Sequence, residues 1–218
     1  MKPLQIKIPK DVLLHDTVRD ILAKWQKKRK GLLGPLLFPD SCKRQLLRIE
    51  KYYAPHFLFT FHQSTRSDVE IHYVLIDAVC GFGAYTNVEP ELSTIEPEGA
   101  GVFRVLVSQK KAREKALEWL SRWNLRKHAF HLKAPELLNS HARLFHFPFW
   151  VAYYERPSRK LDVEVVDGLR GCLEGGRTKY MIETGIRDLK RNASRSLPRT
   201  SCDPKLMMLP RGLNKEGT

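Results

Sequence analysis

The chain contains two versions of one pattern, and this constrains its fold more than any single motif does. Ile21-Leu-Ala-Lys-Trp25 matches Trp119-Leu-Ser-Arg-Trp123 at an offset of 98 residues. Tyr52-Tyr-Ala-Pro-His-Phe-Leu-Phe59 matches Phe145-His-Phe-Pro-Phe-Trp-Val-Ala152 at an offset of 93, which sets Pro55 over Pro148. Val74-Leu-Ile-Asp77, with Gly81 beyond it, matches Glu164-Val-Val-Asp167, with Gly171 beyond it, at an offset of 90. Offsets that fall steadily are those of a second copy with shorter linkers, so the expected plan is an internal duplication.

Each copy reads as strand, long helix, connecting segment, strand, turn, strand. The first strand-like segment is Leu4–Ile8 and its counterpart is Val102–Val107. Leu14, Val18, Ile21, Leu22 and Trp25 recur at helical spacing and predict one buried face, with Asp11 as the cap. The second helix is expected from about Lys110 to Asn124, capped by Ser108, and short helices are expected near 41–50 and 135–143. Phe57, Phe59 and Phe61 alternate with His56, Leu58, Thr60 and His62, which is the period of a strand. Around Trp150 both alternating sets are apolar, so that strand should be covered on both faces. Turns are expected at 63–68 and 156–160. The fold class is therefore α+β: duplicated strand–helix–β-hairpin modules, an antiparallel sheet backed by helices. The copies take residues 1–97 and 98–187, and 188–218 reads as a basic, flexible tail. Trp25, Trp123, Phe57, Phe59 and Trp150 are the expected core.

The order Val102–Val107, a helix with Ala112, Ala116, Trp119 and Leu120, a proline loop and then Leu144-Phe-His-Phe-Pro-Phe-Trp-Val-Ala-Tyr153 resembles a repeat of uncharacterised bacterial proteins. Those proteins often carry N-terminal zinc ribbons. The resemblance spans about 101–167 and, more loosely, 4–77. The ribbon cysteines have no counterpart here, and the resemblance implies no active site. A local likeness also links Val165-Val-Asp167-Gly168 and Gly171 to the strand ending of secreted PepSY-type modules.

Charge supplies the functional clue. The 218 residues hold 38 Lys and Arg against 24 Asp and Glu, a net +14. With 42% hydrophobic residues the chain can build a core, and no apolar run is long enough to span a membrane. The polar N-terminus does not read as a signal peptide, so a cytoplasmic location is expected. Cys42, Cys80, Cys172 and Cys202 lie far apart and match neither a disulfide framework nor a zinc finger.

Lys24, Lys27, Lys28, Arg29 and Lys30 place five cations in seven residues at the end of the first helix. Arg122, Arg126 and Lys127 stand at the matching end of the second. Favourable contact with the helix dipole accounts for some of these cations, and five exceed what capping needs. Two matched basic ends predict phosphate contacts, and nucleic acid is the expected partner, with an acidic protein as the other candidate. A protein-interaction module using the aromatic hairpin strands is the alternative.

Enzymatic chemistry has weaker support. Asp77 and Asp167 recur at strand ends, where a carboxylate pair for acid–base or metal chemistry competes with ordinary Asx-turn geometry. His128, His131, His141 and His146 lack an H-E-x-x-H arrangement. Gly175-Gly176-Arg177-Thr178-Lys179 is a possible anion seat or a plain helix start. No cofactor, metal or catalytic residue is assigned.

Overall fold

In a computed structural model the described residues are 4–10, 12–29, 44–64, 69–86, 88–97, 101–127 and 136–196. The first half contains β1 (Ile6–Pro9), α1 (His15–Arg29), β2 (Gln45–Ser64), β3 (Val69–Asp77), β4 (Gly83–Thr86) and β5 (Leu92–Ile95). The second contains β6 (Gly101–Val102), α2 (Gln109–Lys127), β7 (Glu136–Glu155), β8 (Leu161–Asp167) and α3 (Gly176–Ser196). The main sheet runs β4-β3-β2-β7-β8, with β6 beside β2, and β1 pairs with β5 in a separate ribbon. The fold is α+β, a mostly antiparallel curled sheet with helices packed on it.

β2 and β7 form the spine. They pair antiparallel from Gln45↔Glu155 to Ser64↔Glu136, with Ala54 opposite Phe147 near the middle. The short helices expected near 41–50 and 135–143 are therefore replaced, over 45–50 and 136–143, by the N-terminal parts of these long strands. Sequence periodicity mistook them because each strand obtains its partner from the other half of the chain. The strand expected over Val102–Val107 stops at Val102.

Alternation assigns the sheet's two faces. Phe57, Phe59 and Phe61 lie on the first face with Trp150, Ala152 and Tyr154. There, Ala112, Ala116 and Leu120 of α2 cover the phenylalanines together with Val74 and Ile76. Val18 and Leu22 of α1 cover Trp150, Ala152, Tyr154 and Val166. Each helix thus sits on the hairpin of the opposite half. Leu13 N–H donates to the Gly168 carbonyl at 2.7 Å, while Leu106 and Val107 N–H both donate to the Ala78 carbonyl at 2.8 Å. These bonds pin each helix start to the other half's turn. Burial of Phe59 or Tyr154 contributes about 1.5–3 kcal/mol apiece. On the opposite face, Met181 and Ile182 of α3 cover Phe149, Val151 and Val165, so the strand around Trp150 is enclosed on both sides as its composition requires.

Ser108 begins α2 as expected, its carbonyl accepting from Ala112 N–H at 2.9 Å and its hydroxyl from Lys111 N–H at 3.4 Å. At α1 the expectation fails. The helix starts at His15, Leu14 is 75% exposed, and Asp11 lies outside the described residues. Trp25 is also exposed, at 37%, against its expected place in the core. The proposed tail boundary falls inside α3, which runs past Arg187 to Ser196 with Leu189 packed against the core. Residues 197–218 lie outside the described set.

Candidate functional site

The basic residues collect on the helices. Five Lys or Arg face two carboxylates in α1, seven face two in α2, and six face two in α3. The reason is division of labour. Sheet positions between two layers must be apolar, so the outer ridges of the helices are where charge can be solvated.

Lys24, Lys27 and Lys28 are exposed on α1, and Lys28 lies 5.3 Å from the centre of the Trp25 ring. Arg29 is helical, while its side chain and Lys30 lie outside the described set. Arg122 and Arg126 are exposed on α2, Arg122 pairing with Glu118 one turn back; the Lys127 side chain is outside the described set. The two groups share one face of the sheet but stand over opposite halves of it, α1 over β7–β8 and α2 over β2–β3. The sequence reading missed the exposed cations at the other end of α2, Lys110, Lys111, Arg113 and Lys115. Their spacing of one helical turn was the available signal.

Several large rings of the aromatic hairpin strands are packed away. Phe59, Phe61 and Tyr154 are at most 1% exposed beneath the helices. Large aromatic rings on a two-sided strand provide the packing that holds the layers together.

Asp77 and Asp167 form matching turns. Asp77 Oδ1 accepts from Val79 N–H at 2.9 Å and Cys80 N–H at 2.6 Å, and Oδ2 accepts from Phe82 N–H at 2.6 Å. Asp167 Oδ1 accepts from Leu169 N–H at 2.7 Å and Arg170 N–H at 2.9 Å. Gly81 and Gly171 close the turns at φ of 79° and 68°, where a side chain would be strained. Both carboxylates are 5% exposed and line one cavity of about 240 Å³ on the sheet face opposite α1 and α2. His56, Phe147, Phe149 and Glu174 line it as well.

Beside this cavity the Asp167 and Glu174 carboxylates and the Cys172 thiol come within 4.8 Å of one another, whereas the histidines do not assemble. His141 and His146 project to opposite faces of β7 by their register, and His128 and His131 lie outside the described residues. Burial pushes the Cys80 and Cys172 thiols up, which keeps them protonated at neutral pH. At the start of α3 the Thr178 hydroxyl donates a hydrogen bond to the Glu174 carboxylate at 2.7 Å. Among the described residues, no helix is long and apolar enough to cross a membrane. Compared with protein-family models, curated proteins and solved structures, the chain matches none.

Proposed function

We propose that this chain is a non-catalytic binding protein for nucleic acid, engaged through the solvated ridges of α1 and α2. The concentration of cations on two helices that share one sheet face carries the reading. Such a surface produces an extended positive field, and phosphate backbones are the polymer that field selects. Lys24, Lys27, Lys28, Arg122 and Arg126 are solvent-exposed and contribute without any role in the core. A cytoplasmic site of action accompanies this partner. The recurrence of the Asp77 and Asp167 turns supports reading the halves as copies of one unit, so the basic ridge is present twice.

Fluorescence anisotropy with labelled single- and double-stranded DNA and RNA tests the proposal. Binding is expected to be largely independent of sequence. With about six phosphate contacts, raising salt from about 50 to 200 mM should weaken it roughly a thousandfold. Replacing Lys24, Lys27 and Lys28 by Gln should flatten that salt dependence while leaving the thermal midpoint in place. No anisotropy change at tens of micromolar protein in low salt would end the nucleic-acid reading.

A further inference from the structure

The cavity on the opposite face has a chemistry of its own. Asp77 and Asp167 are both about nineteen-twentieths buried, and among the described residues no Lys or Arg forms an ion pair with either. Buried carboxylates ordinarily have a cationic partner, because backbone donors alone leave a full charge in a low-dielectric site. Asp77 uses both oxygens within its turn, but no hydrogen bond reaches Asp167 Oδ2 among the described residues. A carboxylate has about four acceptor positions, so Asp167 has capacity to spare.

The remaining polar lining points the same way. His56 Nδ1 lies 2.9 Å from the Ala54 carbonyl oxygen, and a carbonyl only accepts, so Nδ1 carries the proton and Nε2 is an acceptor. Burial lowers the His56 pKa, against the opposing pull of that carbonyl and of Asp77, which keeps the ring neutral. Glu174 adds a third carboxylate. Its neighbour Thr178 already donates its hydroxyl hydrogen bond to Glu174. Arg177, exposed at the rim, is the one Lys or Arg among the described lining residues. Phe82, Phe147 and Phe149 complete the walls, and aromatic faces attract cations. The volume of about 240 Å³ holds about eight waters at roughly 30 Å³ each, or one ligand of benzylamine's size.

We infer that this cavity binds an organic ammonium ion: an amine whose charged head meets Asp167 and Glu174 and whose short apolar body lies against Phe147 and Phe149. The inference is independent of the nucleic-acid reading, since it concerns the other face of the sheet and a ligand of opposite charge.

Isothermal titration of the full chain with benzylamine, and with benzyl alcohol as its uncharged near-isostere, is the test at about 150 mM salt. Benzylamine should bind at least tenfold more tightly than the alcohol. Glu174→Gln should weaken benzylamine at least fivefold, and Asp167→Asn more. Glu174 belongs to a half-buried loop, so its variant keeps the experiment interpretable if Asp167→Asn fails to fold. Arg177→Gln should tighten benzylamine by a few-fold; a loss there would show that the ammonium is not held by the carboxylates and would overturn the inference. Equal binding of the two probes, or no heat from either at about 10 mM, would overturn it too. Acetyl-lysine methylamide distinguishes the source: binding with the same dependence on Glu174 assigns the head group to a lysine side chain of a partner, and its exclusion assigns a free amine. Both outcomes require prior binding of benzylamine. Nucleic-acid titration of Glu174→Gln should match the wild type, which keeps the two readings separable.

Discussion

After Asp77 the chain doubles back and adds β4 to the edge of the sheet; after Asp167 it makes the same turn and then leaves for the other face. The backbone bonds of the first steps agree. Gly81 N–H meets the Asp77 carbonyl at 3.0 Å, as Gly171 N–H meets that of Asp167. Asp77 N–H reaches the Phe82 carbonyl at 2.9 Å, as Asp167 N–H reaches that of Cys172. Beyond this, Gly83-Ala-Tyr-Thr86 pairs along β3, whereas Leu173 makes one isolated bridge to Val166 before Gly175 and Gly176 lead into α3.

That divergence explains the two tryptophans that the matched sequence segments align. β4 extends the floor beneath the end of α2, and its Tyr85 ring lies 4.9 Å from that of Trp123. Gly83 lets the Trp119 indole approach, since an added Cβ there would fall 2.1 Å from its ring nitrogen. Among the described residues the second half has no strand beyond β8, so Trp25 at the end of α1 finds no such floor. It lies at the surface beside Lys28. Equivalent letters thus have different environments because the sheet is one strand wider on one side.

The largest test of the comparison is to separate the halves. Residues 1–97 and 98–196 expressed alone should each lack a cooperative unfolding transition, because α1 and α2 lose the hairpins on which they rest. A sharp melt from either fragment would show that a helix can cover its own hairpin, and the exchange of helices would no longer define the fold.

Next in size is the tryptophan pair. Trp123→Ala should cost about 2–3 kcal/mol, somewhat below a fully buried truncation, whereas Trp25→Ala should cost under about 1 kcal/mol. Chemical denaturation of both variants provides the reading, and equal losses would mean that α1 has a floor as complete as that of α2.

The smallest effect concerns pH. Burial, with nearby His56 adding to it, pushes His146 down from 6.5 to about 4. Between those values the unfolded chain binds more protons than the folded one. Stability is therefore full above pH 6.5 and declines as pH falls toward 4. Because the side chain is partly exposed, its share is about 1 kcal/mol after screening. His146→Gln should flatten the decline between pH 7 and 5, and an unchanged slope would remove His146 as its cause.

Local physics made much of this legible. The alternation through Phe57, Phe59 and Phe61, the Ser108 cap, the two-sided strand at Trp150 and the Asp-to-Gly turns all depend on neighbours within a few residues. The basic helix ends were legible for the same reason, since solvated charge follows helical spacing. The cavity was not. His56 and Asp77 lie roughly a hundred positions from Asp167 and Glu174, and the pairing of β2 with β7 brings the two pairs to one space.

The sequence alone determined which stretches are apolar on one side or both, where the turns fall, and that the protein is strongly basic, because these follow from side-chain period and composition. Tertiary structure decided that 45–50 and 136–143 are strand, that each helix crosses to the other half, and that Trp25 stays at the surface while Trp123 is covered. Those outcomes depend on backbone partners and on surfaces supplied by residues roughly a hundred positions away, which no local pattern encodes.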